Sequence, residues 1–234
     1  MRFDVLTLHP DLVRGPLTGS ILGRAAADGR VAIVIHDIRA HAMNRYGTVD
    51  DTPYGGGAGM VMRVDVVAAA IAAVRTPDSR VLLTSAAGKP FVQADAARLA
   101  TLPHVIVVCG HDEGIDARAE GIVDELVSIG DFVMTGGEIA ACAIVDATAR
   151  LLPGVVGNQD SVHDESFSRG LLEYPQYTRP REWQGLAVPD VLVSGHHAKI
   201  EEWRRAEAEK RTRERRPDLW AAHLRAVDAR SGDD

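Results

Sequence analysis

Cysteine is scarce in this chain of 234 residues: Cys109 and Cys142 are the only two, too few for a disulfide framework. Long apolar runs are missing as well. The longest, Val66–Val74, stops at Arg75 and is too short to cross a bilayer. Met1-Arg2-Phe3-Asp4 opens a strand-like segment and carries no signal-peptide pattern. The expectation is a reducing, cytoplasmic setting with no membrane partner. Both usual nucleotide signatures are absent. No G-x-G-x-x-G follows the first strand, and no G-x-x-x-x-G-K-[ST] occurs. This counts against a Rossmann dehydrogenase, a P-loop NTPase and the common Rossmann-type methyltransferase. No His/Cys spacing supports a structural zinc site. Positive charge is in deficit, with 26 basic against 33 acidic side chains and a net charge of −7. Taken whole, that argues weakly against a nucleic-acid partner.

What is present is ordinary for a globular protein: 46% hydrophobic and 25% charged residues. The length suits one large domain, or one domain plus a smaller one. Phe3–Leu8, Val31–Ile35, Val81–Leu83 and Val105–Val108 are apolar runs flanked by turn residues, which predicts buried parallel strands. Asp65–Arg75, Gln93–Ala100 and Glu138–Leu152 read as helices between and after them. The pattern predicts an α/β domain with a mostly parallel sheet. It stops near Leu151-Leu152-Pro153-Gly154, and residues 153–170 lose periodicity. From Tyr177 the chain turns helical and charged, with helices expected over Ala198–Arg216 and Asp218–Ala229.

The 22 glycines gather in a few places. Tyr54–Met60 is the densest cluster. Three further glycine sites fall at or beyond predicted strand ends: Thr84–Gly88, Cys109–Gly114 and Ser128–Glu138. Ligands of open α/β sheets bind beyond the carboxyl ends of the strands. Each loop alone is an ordinary turn. Three in register could enclose one small cofactor, largely with backbone groups.

Taken together, Asp50–Met62 (DDTPYGGGAGMVM), Cys109–Arg118 (CGHDEGIDAR) and Ser128–Glu138 (SIGDFVMTGGE) resemble the bacterial tRNA (guanine-N1)-methyltransferases of the SPOUT superfamily. Glu165–Pro180 (ESFSRGLLEYPQYTRP) and Val188–Arg204 (VPDVLVSGHHAKIEEWR) extend the resemblance through the chain. It implies an S-adenosylmethionine-binding domain over residues 1–160 with a deep trefoil knot. A mobile linker over 161–176 and a small helical tRNA-binding domain over 177–234 would follow. It further implies a homodimer with active sites shared at the subunit interface. The implied reaction is methylation of N1 of the guanine immediately 3′ of the tRNA anticodon, with magnesium involved at an unknown position.

The same resemblance assigns residues. Glu165 aligns with the family's general base. The family more often has Asp there, so Asp164 remains a second candidate. Arg150 aligns with the catalytic arginine, whose guanidinium could donate to O6 as charge develops. Glu113 sits at a position used near the cofactor. His111 and Asp112 replace residues that are usually Arg and Tyr. Cofactor contacts are expected from Leu83, Thr84, Ser85, Gly88, Gly110, Glu113, Ser128, Ile129, Gly130, Met134, Gly136 and Gly137. RNA contacts are expected from Ser166, Arg179, His197 and Lys199. Cys109 and Cys142 read as core thiols, not nucleophiles.

The charge, split along the chain, is uneven. Arg169–Arg216 holds 11 basic and 8 acidic residues, or +3, which leaves −10 for the rest. A solvated helix with i, i+4 pairs such as Glu201–Arg205, Glu207–Arg211 and Glu209–Arg213 is the plain reading of this segment. The resemblance makes part of it a phosphate-contacting face. An RNA-binding protein without catalysis is the alternative from another class. Arg150 and Glu165, both present, favour the enzyme. A ribose 2′-O-methyltransferase of the same superfamily is a further alternative, but those relatives lack the TRP and SGHHAKI segments.

Overall fold

The computed structural model describes residues 1–157, 165–168 and 170–231. The chain divides into two compact units, Met1–Gly157 and Asn158–Asp234.

In chain order the first unit contains β1 (Arg2–Thr7), α1 (Pro10–Thr18), α2 (Ser20–Ala27), β2 (Ala32–Asp37), β3 (Asp50–Asp51), β4 (Val61–Met62) and α3 (Val64–Val74). It continues with β5 (Ser79–Pro90), α4 (Gln93–Ala100), β6 (His104–Cys109), β7 (Glu125–Ser128) and α5 (Glu138–Ala149). Five strands form one sheet in the order β2-β1-β6-β5-β7, every neighbour parallel. Short β3 and β4 pair separately as an antiparallel ribbon. The α/β class with a mostly parallel sheet therefore holds.

The sheet is covered on both faces, which is why its strands are apolar throughout. Successive side chains point to opposite faces. Phe3, Val5, Val105 and Val107 pack against Val13 and Leu17 of α1, Leu99 of α4, and Ile144 and Val145 of α5. Leu6, Ile106 and Val108 pack on the other face against Val66, Val67 and Ile71 of α3. Ile106 is fully buried. Truncating it to Ala would cost about 2–5 kcal/mol. Helices α1 and α2 had no counterpart in the sequence reading. Pro10 sits in the first turn of α1, Pro16 lies inside it, and the chain breaks at Gly19 before α2 begins.

One polar cluster interrupts this apolar interior. The Asp4 side chain is fully buried. It accepts hydrogen bonds from Arg2 Nε at 2.6 Å and Arg2 Nη2 at 2.8 Å, and pairs with His36 Nε2 at 2.5 Å and His104 Nε2 at 2.6 Å. Nδ1 of His104 meets Ser79 Oγ at 2.8 Å. The cluster thus ties β1, β2, β5 and β6. Burial pushes the Asp4 carboxyl up, but the hydrogen bonds and charge from Arg2, His36 and His104 together hold it below the usual value.

β5 departs from regular pairing at a place that matters. It pairs with β7 through Leu82–Thr84, and again through Lys89 and Pro90. Val127 is thus opposite both Thr84 and Lys89, and Ser85–Gly88 bulges out between. A Cβ on Gly88 would lie 2.5 Å from the carbonyl carbon of Val127 and 2.6 Å from that of Leu126. Only glycine allows so close a backbone approach.

In the second unit β8 (Glu182–Trp183) and β9 (Leu186–Ala187) form a hairpin. Its two turn residues, Gln184 and Gly185, both take positive φ, as a tight two-residue turn requires. Helix α6 (His197–Arg215) is followed by α7 (Pro217–Ser231). Pro217 ends the first and opens the second, where a missing N–H is harmless. Thr212, fully buried on α6, accepts a hydrogen bond from Leu172 N at 2.8 Å and anchors the incoming segment. The ion pair that closes within α6 is Arg204–Glu201 at i, i+3, not the i, i+4 pairs the spacing suggested. Arg204 also lies over the Tyr174 ring, 4.9 Å from its centroid.

Candidate functional site

The bulged stretch of β5, with the loops at the carboxyl ends of β6 and β7, lines a cavity of about 280 Å³. Its walls include Leu83, Thr84, Ser85, Gly110, Glu113, Ser128, Ile129, Gly130, Met134, Gly136 and Gly137. Gly88 does not line it; that glycine serves the contact with β7 described above.

The loops are stitched to one another. Gly137 N donates to Gly110 O at 2.7 Å, and Asp112 N to Thr135 O at 3.2 Å. Thr84 Oγ1 donates to Val108 O at 3.2 Å and accepts from Gly110 N at 3.4 Å. Ser128 Oγ bonds the Gly130 backbone at both its N–H and its carbonyl. A Cβ on Gly137 would overlap Thr84 Oγ1 and stand 2.9 Å from Thr84 Cβ. Bare backbone therefore forms much of the wall, beside the apolar side chains of Leu83, Ile129 and Met134.

Carboxylates rim the cavity: Asp112, Glu113, Asp116 and Glu120. The Arg118 guanidinium hydrogen-bonded to Asp116 holds its carboxyl down at about 2. Glu113 N donates to Met60 O at 3.3 Å, and a Cβ on Gly59 would run into the Glu113 side chain. The Tyr54–Met60 glycine cluster thus braces a cavity loop.

Behind the Gly136–Gly137 turn lies Glu138, 2% exposed, at the first position of α5. It accepts from Thr7 Oγ1 at 2.8 Å and faces His111 Nδ1 at 3.5 Å. The helix N-terminus favours a carboxylate there. His111 also packs on His9, with ring centroids 4.2 Å apart. Burial, with the Glu138 charge beside it, pushes the Cys109 thiol well up. Burial raises Cys142 too. Neither is placed to act as a thiolate nucleophile.

Other residues singled out by sequence lie elsewhere. Arg150 caps the far end of α5, about 18 Å along the axis from the glycine turn at 1.5 Å per residue. Glu165 belongs to the second unit and lines a separate cavity there with Tyr174, Arg204 and Arg205. Ser166 Oγ accepts from Glu173 N at 3.0 Å. Arg179, His197 and Lys199 are exposed, the last two in the first turn of α6. Asp164 lies outside the described residues. Sequence reasoning missed Asp116, Glu120 and the burial of Glu138. The motif stretches contain Asp116 and Glu138, but no spacing rule marks either.

Among the described residues, no three His, Cys, Asp or Glu side chains gather to hold a metal ion. Those described residues therefore form no carboxylate or histidine cluster for magnesium. None of the described helices is long and apolar enough to cross a membrane.

A family model described as tRNA (Guanine-1)-methyltransferase TrmD matches residues 1–222. The chain belongs to the tRNA (guanine-1)-methyltransferase family. It is accordingly an enzyme that transfers methyl groups. Similar proteins named tRNA (guanine-N(1)-)-methyltransferase occur in Chloroflexus aggregans, Nitrobacter winogradskyi and Thermus thermophilus. The Chloroflexus protein is 56% identical over 225 residues, covering 94% of this chain and 88% of the relative. The Nitrobacter protein is also 56% identical, covering 94% and 93%. The Thermus protein is 51% identical over 231 residues, covering 98% and 96%.

Proposed function

We propose that this chain moves a methyl group from S-adenosylmethionine to N1 of the guanine immediately 3′ of the anticodon in tRNA, in the cytoplasm. The carrying observation is the cavity built from the β5 bulge and the glycine loops after β6 and β7, in a chain of this family. The cofactor, when bound, supplies an electrophilic methyl group on a cationic sulfur. The donor set suits it. Backbone at Gly110, Gly136 and Gly137 lines the cavity, apolar side chains flank it, and four rim carboxylates complement positive charge.

Guanine N1 carries a proton at neutral pH, and that proton must leave. Glu165 accepts it in this reading, as a carboxylate of the second unit ahead of its helices. Negative charge then builds on O6, where the Arg150 guanidinium donates. Arg150 lies a helix length from the cavity of its own chain. That separation supports a homodimer in which a second copy completes each site. Exposed apolar side chains on the first unit, Val133 at 92% and Ile139 at 66%, suit a covered dimer face. A deep trefoil knot in the first domain is part of this reading. Residues 161–176 are the linker in this scheme, and Ser166, Arg179, His197 and Lys199 contact RNA.

Radiolabelled methyl transfer to tRNA transcripts tests the reading. Transcripts with the guanine should be labelled, and transcripts with that guanine replaced should not. Equal labelling of both would overturn the specificity.

A further inference from the structure

The segment between β2 and the β3–β4 ribbon is built to hold an aromatic ring in water. Both of its ends are buried: Ile38 is 0% exposed and Val49 is 1% exposed. Between them the loop is ordered by polar side chains. Asp37 Oδ1 accepts from Arg39 N at 2.8 Å and caps a short 3-10 turn. Asn44 Oδ1 accepts from both Tyr46 N at 3.1 Å and Thr48 N at 3.2 Å. Arg39 Nη1 donates to Gly47 O at 3.1 Å. The result is a closed turn with Tyr46 at its tip, 75% exposed.

A single exposed tyrosine needs no explanation. Two features set this one apart. The Arg45 guanidinium lies over its ring, 4.6 Å from the centroid, and also donates to its hydroxyl. That is a cation–π pair assembled in solvent. Charge is the second feature. Ile38–Val49 carries Arg39 and Arg45 and no carboxylate, in a chain of net charge −7.

The loop is also connected to the cofactor cavity. It runs directly into β3, and the ribbon is fastened to the cavity loop: Met62 N donates to Gly114 O at 2.9 Å, and Asp116 N to Met62 O at 3.0 Å. A flat aromatic face with a guanidinium beside it, held ready on an ordered turn, matches an unpaired nucleobase and its phosphate. Bases stack on such rings without regard to sequence. The turn is closed by its own hydrogen bonds, which limits the conformational freedom lost when a base arrives.

We propose that Tyr46, with Arg45 over it, is a stacking platform for an unpaired base of the RNA substrate, presented by the first unit and not by the helical one. This rests on the tRNA reading above. Fluorescence anisotropy with a labelled, unmodified tRNA transcript and the full chain tests it, using the wild type, Tyr46→Ala and Tyr46→Phe. Tyr46→Ala should raise the tRNA Kd roughly 5- to 100-fold, while Tyr46→Phe, which keeps the face, stays within about twofold. Calorimetry should give the same S-adenosylmethionine Kd for all three proteins. An unchanged tRNA Kd in Tyr46→Ala, or an equal loss in both variants, overturns the platform. A fall in cofactor affinity in Tyr46→Ala overturns it as well, because the ring would then act through the cavity. Failure of the wild type itself to bind tRNA overturns the tRNA reading, and with it the platform, and is seen before any variant is made.

Discussion

Replacing Gly137 with alanine adds one methyl group at the tightest point of the cavity wall. The backbone there is ordinary, with φ at −85°, so the whole effect is steric. The new Cβ would overlap Thr84 Oγ1 and stand 3.2 Å from the Cα of Cys109. The turn cannot slide away freely, because Gly137 N donates to Gly110 O and Gly137 O accepts from Ala141 N at 2.8 Å. Rotating Thr84 instead breaks its bonds to Val108 O and Gly110 N. Losing those bonds costs about 1 kcal/mol each. Residual overpacking adds about 1–3 kcal/mol. Expressed at the cavity, about 3–5 kcal/mol is a roughly 140- to 4,000-fold weaker S-adenosylmethionine Kd. Isothermal calorimetry reads it directly. Thr84→Ala removes the worst overlap, so Gly137→Ala/Thr84→Ala should recover part of the loss, a coupling of about 0.5–3 kcal/mol. Wild-type affinity in Gly137→Ala, or no recovery in the double variant, refutes the steric account.

Further outcomes follow from other parts of the molecule. Gly137→Val should abolish cofactor binding while the dimer persists, as read by calorimetry and by light scattering. Glu165→Gln should lower kcat by about 10²- to 10⁴-fold with tRNA and cofactor affinities retained, and Glu165→Asp should keep much of the activity. Arg179→Ala should raise the tRNA KM more than the cofactor KM, and equal changes would remove its RNA role. Asp4→Asn should destabilise the fold by about 3–5 kcal/mol, since it leaves Arg2, His36 and His104 around a neutral group. The Asp4 carboxyl is held below its ordinary value of 3.8, so its contribution is complete above that pH. It is lost as pH falls through the lower folded value. The acid limb of a Tm-against-pH curve should therefore flatten in Asp4→Asn.

The residues that could be read in advance share a physical cause. Val105–Val108 is apolar on both faces because helices cover both sides of the sheet, so a continuous run betrayed it. The three glycine loops were legible because positive φ and close backbone approach leave a compositional mark. Helices α1 and α2 left none: each is under three turns, and Pro16 and Gly19 look like breakers. Strand β7 is four residues long and begins with Glu125, whose carboxylate pairs with Arg80 and Arg98 at the sheet edge. Alternation over so short a span carries no signal. Glu138 read as a helix start and nothing more. Its burial comes from Thr7, more than a hundred residues earlier in the chain. Likewise Asp4, His36 and His104 meet only through the parallel register of β1, β2 and β6, which no local pattern encodes.

The central claim concerns one atom of one base. Purified protein, S-adenosylmethionine and an unmodified tRNA transcript should be incubated, the RNA digested to nucleosides, and the products separated by mass spectrometry. The account predicts a single new nucleoside, 1-methylguanosine, mapping to the guanine 3′ of the anticodon. A ribose-methylated nucleoside, a methyl group on another base, or no product at all would contradict it.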